Sequence, residues 1–275
     1  MKSLAVLIAI ICLVVPLQAQ SQDGQPWENS LGMKFVPAGT PGVLFCIWLT
    51  REQDYLAFVK ATKADNQTTS NSFMTQGAAY PVGAVHYKDA TDFCQWLTDK
   101  ERAEGKLGPN QSYRLPTDDE WTAAAGTKTK YIWGDAWPPP AGAGNFKDES
   151  VKIHSPDIAN YITVITGYND GFPDASPVGS FKANSFGLFD MAGNLTEWCD
   201  GWYHKEMNSL DLREEFRGAA DDGGGSKYRF YRGGSHNEAN PHALLIAFRI
   251  PVTFYTAELD NGFRCVLVVT PPAKP

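Results

Sequence analysis

The chain has 275 residues, with 24 basic against 31 acidic side chains and a formal net charge of −7 at pH 7. An acidic chain with no run of Lys or Arg is a poor match for nucleic acid or for an anionic membrane surface, so neither is an expected partner. Its length and its hydrophobic fraction of 43% are enough for one large domain with a real core.

The first residues read as an export signal. Lys2 supplies the positive start, residues 4–15 form an apolar run, and Leu17-Gln18-Ala19 ends in a small residue suited to signal peptidase. Roughly a dozen apolar residues are too few to span a bilayer, which needs about 20. Ile10 and Ile11 precede Cys12 where a lipoprotein signal would place a small residue. The expected organisation is a signal peptide over 1–19, a flexible segment over 20–28, one domain over 29–269 and a short tail over 270–275. The mature protein is then secreted, to a periplasmic or extracellular space. Cys46, Cys94, Cys199 and Cys265 remain after cleavage; an even number permits disulfides there, and spacings this wide fit no zinc ribbon.

In chain order, Thr50 is expected to open the first helix, with Gln53 at the capping-box position and Tyr55, Leu56 and Val59 on one face. A second helix is predicted over about 88–104, where Ala90, Phe93, Cys94 and Leu97 repeat at i, i+3, i+4 and i+7 and Gly105 marks the stop. Thr117-Asp118-Asp119-Glu120 is a complete capping box for a third, running into 121–125 and ending at Gly126. All the helical signals lie in the first half. Beyond Gly126, Trp137-Pro138-Pro139-Pro140, residues 141–145 and residues 221–225 are loop chemistry. The clear strands are 228–231 and 263–269. The fold class is α+β with a large irregular fraction, which must be held by buried aromatics, disulfides or bound metal.

A series of segments follows one another in a telling order. It begins with Asn29-Ser30-Leu31-Gly32-Met33, Phe93-Cys94-Gln95-Trp96-Leu97 and Tyr113-Arg114-Leu115-Pro116-Thr117. Trp133-Gly134-Asp135 and Pro177-Val178-Gly179-Ser180-Phe181 come next, then Asn184-Ser185-Phe186-Gly187-Leu188-Phe189-Asp190-Met191-Ala192-Gly193-Asn194-Leu195-Thr196-Glu197-Trp198. Arg232-Gly233-Gly234-Ser235 and Gly262-Phe263-Arg264-Cys265 close it. This order resembles the formylglycine-generating enzyme family, also called sulfatase-modifying factor domains, over roughly residues 29–269. The resemblance implies a loop-rich, C-type-lectin-like domain, in agreement with the composition.

The resemblance also implies calcium. One family site takes an Asn side chain and the next carbonyl, then an Asp and a carbonyl two residues on; Asn145, Phe146, Asp170 and Phe172 match it. A second takes an acid or amide, two carbonyls and a Glu; Asp190, Gly193, Leu195 and Glu197 match that one. Carboxylate, amide and carbonyl oxygens are the hard ligands calcium prefers, and Gly171 and Gly193 allow sharp turns. The same residues are also ordinary loop formers. Cys94 and Cys265 match a pair the family joins by a disulfide, whereas Cys46 and Cys199 match no family pair and are left as free thiols or a second bond.

One departure bears on activity. The family's oxidase carries two copper(I)-binding cysteines shortly after its Gly-Gly-Ser, soft ligands of the kind copper(I) selects. Here the segment after Ser235 contains none: Glu238 falls near the first position and Ala243, Leu244 and Leu245 near the second. The expectation is the scaffold and its calcium without copper: a binding module or pseudoenzyme for a protein or peptide ligand. The alternatives are a formylglycine-generating or other metal-dependent oxidoreductase acting on a protein in the same cleft, and a purely structural partner. His236, Glu238 and His242 fall in the cleft segment. They are candidates for a patch that binds peptide or carboxylate, or for a non-haem iron or zinc ligand set.

Overall fold

The computed structural model describes residues 25–63, 76–204, 207 and 228–269. The expected signal peptide, the 221–225 loop and the tail from 270 lie outside the described residues.

Two sheets organise the chain. The first has the order β1-β2-β3-β9-β4 and is antiparallel throughout, built from β1 (Trp27–Glu28), β2 (Lys34–Pro37), β3 (Val43–Cys46), β4 (Gln111–Arg114) and β9 (Val266–Val269). The second, β7-β6-β5-β8, combines β5 (Thr196–Trp198), β6 (Tyr228–Arg232), β7 (Ile250–Thr253) and β8 (Asn261–Gly262), with β5 and β8 parallel. Strand β9 thus sits inside the first sheet, between β3 and β4. Strand β1 corrects the reading of 20–28 as flexible throughout: Trp27 pairs with Phe35, and its indole N–H donates to the Tyr113 hydroxyl at 2.9 Å.

The central strands are buried on both faces. Leu44, Cys46, Cys265 and Leu267 join one cluster, with Tyr55, Phe58, Phe93, Cys94 and Leu97 of the helices. Val43, Phe45, Val266 and Val268 join another, with Trp121, Leu188, Cys199 and Phe230. The two-residue period of a strand places alternate side chains in the two cores. Tyr131, Phe146, Ile165, Tyr168, Ala192 and Leu244 make a third cluster among the loops.

Among the described residues, four α-helices flank the sheets. Helix α1 (Glu52–Thr62) starts one residue later than Thr50 implies: Arg51 is its N-cap and Asp54, not Gln53, returns to it, accepting the Arg51 N–H at 3.1 Å. Thr50 is instead tied into extended backbone, its N–H donating to Phe263 O at 2.8 Å. Helix α2 (Tyr87–Ala103) buries Ala90, Phe93, Cys94 and Leu97 as their spacing predicts. In α3 (Asp118–Ala124) the capping box forms, Glu120 N–H donating to Thr117 Oγ1 at 3.3 Å and Thr117 N–H to Glu120 Oε2 at 2.9 Å. Helix α4 (Glu149–His154), capped by Asp148, overturns the expectation that all helices lie in the first half. The strand reading is corrected too: residues 263–265 precede β9 rather than belong to it, and β2, β3, β4, β5 and β7 lie outside the two predicted runs.

Candidate functional site

The residues read as calcium ligands fall into two adjoining loop clusters. Phe146 N–H and Phe172 N–H both donate to the Asp170 carboxylate, at 2.8 Å each, which draws three of the first four residues together. Asn145 completes the group. It is fully buried; its amide nitrogen donates to Asp174 O at 2.9 Å, which leaves Oδ1 buried with no donor. Asp148, fully buried as the cap of α4, accepts the Asp170 N–H on the same loop. Burial pushes the Asp170 carboxyl up to about 7, and the Asp148 carboxylate adds to it against the two N–H donors. Paired carboxylates beside an orphaned amide oxygen are an oxygen-rich site that a divalent cation would satisfy. Asp148 was missed in the sequence; its only signal is an Asp opening the short run Glu149-Ser150-Val151.

The second cluster is wound into the first. Asn194 N–H donates to Asn145 O at 2.8 Å, and Gly193 has φ +78 with a virtual Cβ 2.1 Å from the same carbonyl oxygen. No side chain fits there. Asp190 (φ +55) accepts the Gly179 N–H at 2.9 Å. Burial pushes its carboxyl up to about 6, against the Gly179 N–H and the Arg264 guanidinium, which hold it down. Glu197, on β5, is fully buried and paired bidentately with Arg264 at 2.7 and 2.8 Å. Gly193 and Leu195 lie on the turn between them. The Arg264 guanidinium already meets both oxygens of Glu197, so the fit to a cation is better at the Asn145–Asp170 loop.

Cys94 and Cys265 face each other across the first core as thiols, their sulfurs 3.4 Å apart. Cys46 lies in the same cluster and Cys199 in the second; both are buried thiols, and burial raises both well above the usual range.

The segment after Ser235 turns rather than running on as a strand. Ser235 Oγ donates to Asp260 Oδ2 at 2.6 Å, and His236 N–H to Asn194 O at 2.8 Å. Gly233 and Gly234 have φ +90 and +69, and a Cβ on Gly234 would meet Leu244 Cδ2 at 2.4 Å. Ala243 and Leu244, which with Leu245 the resemblance sets near the second cysteine position, are 7% and 2% exposed, and Leu244 belongs to the loop core. His236, Glu238 and His242 do not converge. His236 sits near Asp260 and Asp174, with burial pushing its imidazole below the usual range. Glu238 lines a hollow with Lys147, and His242 lines a separate groove. Among the described residues no three His, Cys, Asp or Glu side chains are grouped to hold a metal ion.

That groove, about 880 Å³, opens between two stretches far apart in sequence. Residues 127–131 form one wall, and His242, Leu245, Ile246 and Arg249 belong to the other; Ile246 N–H donates to Lys130 O at 2.9 Å and joins them. Trp137 also lines it. Lys128 and Lys130 were not singled out from the sequence, and Trp137 was read only as loop chemistry, although the alternation Thr127-Lys128-Thr129-Lys130-Tyr131 is a basic and aromatic run in an otherwise acidic chain.

The chain matches the family model for the sulfatase-modifying factor enzyme 1-like domain over residues 44–269. It belongs to that family. It is 29% identical over 205 residues to a formylglycine-generating enzyme of Streptomyces coelicolor, covering 71% of this chain and 55% of that one. The match to the formylglycine-generating enzyme of Mycobacterium tuberculosis is 31%, covering 71% and 60%. A Bos taurus relative named inactive C-alpha-formylglycine-generating enzyme 2 is also 31% identical, over 68% of this chain and 50% of its own. The chain thus spans between 50 and 60% of the length of these relatives. Among solved structures, PvdO from Pseudomonas aeruginosa superposes with a TM-score of 0.59 at 19% identity, covering 90% of this chain and 99% of that one. CarF gives 0.55 at 20% identity over 86% and 87%. These likenesses establish the loop-rich, C-type-lectin-like α+β fold of the family.

Proposed function

We propose that this chain is an exported, calcium-stabilised member of the family that lacks the copper chemistry and serves as a binding module for a protein or peptide. The observation that carries this reading is the segment 236–245: it contains no cysteine, and Ala243 and Leu244 are spent on packing. Thiolates bind copper(I); an alanine methyl and a leucine in a core supply no ligand. The bovine relative named as inactive, as similar to this chain as the mycobacterial enzyme, supports the same direction. Export rests on Lys2, the 4–15 apolar run and Ala19. No helix among the described residues is long and apolar enough to cross a membrane.

Calcium is proposed first at Asn145, Phe146, Asp170 and Phe172, with Asp148 beside them; at Asp190, Gly193, Leu195 and Glu197 it would have to share Glu197 with Arg264. Bound there, it would neutralise buried carboxylates and give the Asn145 Oδ1 a partner. The competing reading, an oxidase with a different copper site, draws on the enzymes that share about 30% identity. Metal analysis of protein purified from the exported fraction separates the two. Calcium with far less than one copper per chain supports the binding module; one tightly held copper per chain supports the oxidase.

A further inference from the structure

We infer that the groove between residues 127–131 and 241–249 takes an acidic peptide segment of a partner protein. This deepens, and rests on, the reading of the domain as a binding module. The first ground is charge. Acidic side chains outnumber basic ones by 31 to 24 in the chain, yet no Asp or Glu lines this groove, whereas Lys128, Lys130 and Arg249 all line it. Arg249 is shared with Asp118, to which it donates at 2.8 Å. Lys128 and Lys130 are exposed, and neither ammonium has an ion pair among the described residues. The nearby Asp135 does not line the groove; its carboxylate accepts the Lys130 backbone N–H at 2.8 Å. Two uncompensated cations over a groove of this kind select an anionic occupant.

The second ground is what lies between the lysines. Leu245, Ile246 and Pro241 give one wall an apolar surface, and Tyr131 and Trp137 add aromatic area, Trp137 being 40% exposed. The threonine hydroxyls are engaged: Thr127 Oγ1 and Thr129 Oγ1 share a hydrogen bond of 2.7 Å, Thr129 Oγ1 donates to Tyr131 O at 2.7 Å, and Thr122 Oγ1 accepts from Arg232 at 3.1 Å. An anionic polysaccharide, which needs many free polar partners, is poorly served. A peptide that sets Asp or Glu beside a large apolar residue meets both the lysines and the apolar wall. The volume lies within the range of ligand sites, about 300–1,000 Å³.

The test is a random linear peptide library displayed on phage and panned against the full mature chain, followed by fluorescence anisotropy on the selected peptides. The expected result is enrichment of Asp or Glu next to Leu, Phe or Trp, with affinity falling as salt rises. Lys128→Glu with Lys130→Glu should weaken binding by about tenfold or more, Trp137→Ala should weaken it at both salt concentrations, and Lys60→Glu on α1 should leave it unchanged. Selected peptides without acidic bias, acidic peptides indifferent to the lysine variants, or failure to select any peptide while hyaluronate or dextran sulfate binds would each overturn the inference. None of these outcomes touches the copper-free reading, which fails on copper content and aldehyde formation instead.

Discussion

Asn145 concentrates the case for a cation in one atom. A buried acceptor left without a donor costs about 1–3 kcal/mol, and here it lies on a loop where the Asp148 and Asp170 carboxylates are already close. On the proposed reading, bound calcium would remove all of those penalties together. A ligand that binds only the native state stabilises it by about 2.7 kcal/mol at roughly 100 times its dissociation constant. Excess chelator should therefore lower the melting temperature measured by scanning calorimetry, and Asn145→Ala or Asp170→Asn should reduce the calcium-dependent gain by at least half. A variant that keeps the full gain would remove calcium from this loop. At this scale a motif could name Asp170 as a candidate, but the sequence is silent where partnership is made by folding. Asp148 accepts the Asp170 N–H only because the chain between them, through α4, turns back on itself.

At the scale of elements, legibility followed periodicity. Helix α2 could be read because its apolar face is one stripe in a polar helix, so Phe93, Cys94 and Leu97 stand out. Strands β3 and β9 could not be delimited by alternation, since Val43, Phe45, Leu44 and Cys46 are all buried and only the identity of the core differs. Helix α1 began one residue late because Arg51 and Asp54 form a pair, 2.8 and 2.9 Å, that propensity at Thr50 does not report. The α3 cap gives a pH test. Burial alone would raise Glu120, but the Arg114 guanidinium and the Thr117 N–H outweigh it and hold its carboxyl below the ordinary 4.5. A depressed native value means the contribution is present above the ordinary value and is lost as the pH falls through the native one. Glu120→Gln should cost about 1 kcal/mol near neutrality, and its gap from the wild type should close below about pH 4. A gap that stays constant down to pH 3 would mean the carboxylate charge is not what the cap uses. The link between α2 and β9 gives a second test. With the Cys94 and Cys265 sulfurs 3.4 Å apart across 171 residues of chain, oxidation on export is expected to join them. On the chain-entropy model the bond is worth about 4–5 kcal/mol. Peptide mapping under non-reducing conditions should recover the linked pair, with Cys46 and Cys199 as thiols; Cys94 and Cys265 both recovered free from exported protein would refute the bond.

For the whole molecule, the family's frame is present, and the proposal is that its copper chemistry is not. The buried Arg264–Glu197 pair, the two wound loops and the Gly233-Gly234 turn against Leu244 all hold the scaffold. The segment that follows this turn, which the resemblance sets near the oxidases' two thiolates, here supplies Glu238 on one side and a packed Ala243 and Leu244 on the other. That absence was legible from the residues alone. The groove was not, because Lys128, Lys130 and Trp137 meet residues 241–249 only through the tertiary fold. The most direct measurement is incubation of the purified full chain with copper(I), oxygen and a Cys-containing sulfatase peptide, followed by mass spectrometry for the aldehyde. The peptide cysteine is expected to remain unmodified. Turnover to formylglycine would contradict the account.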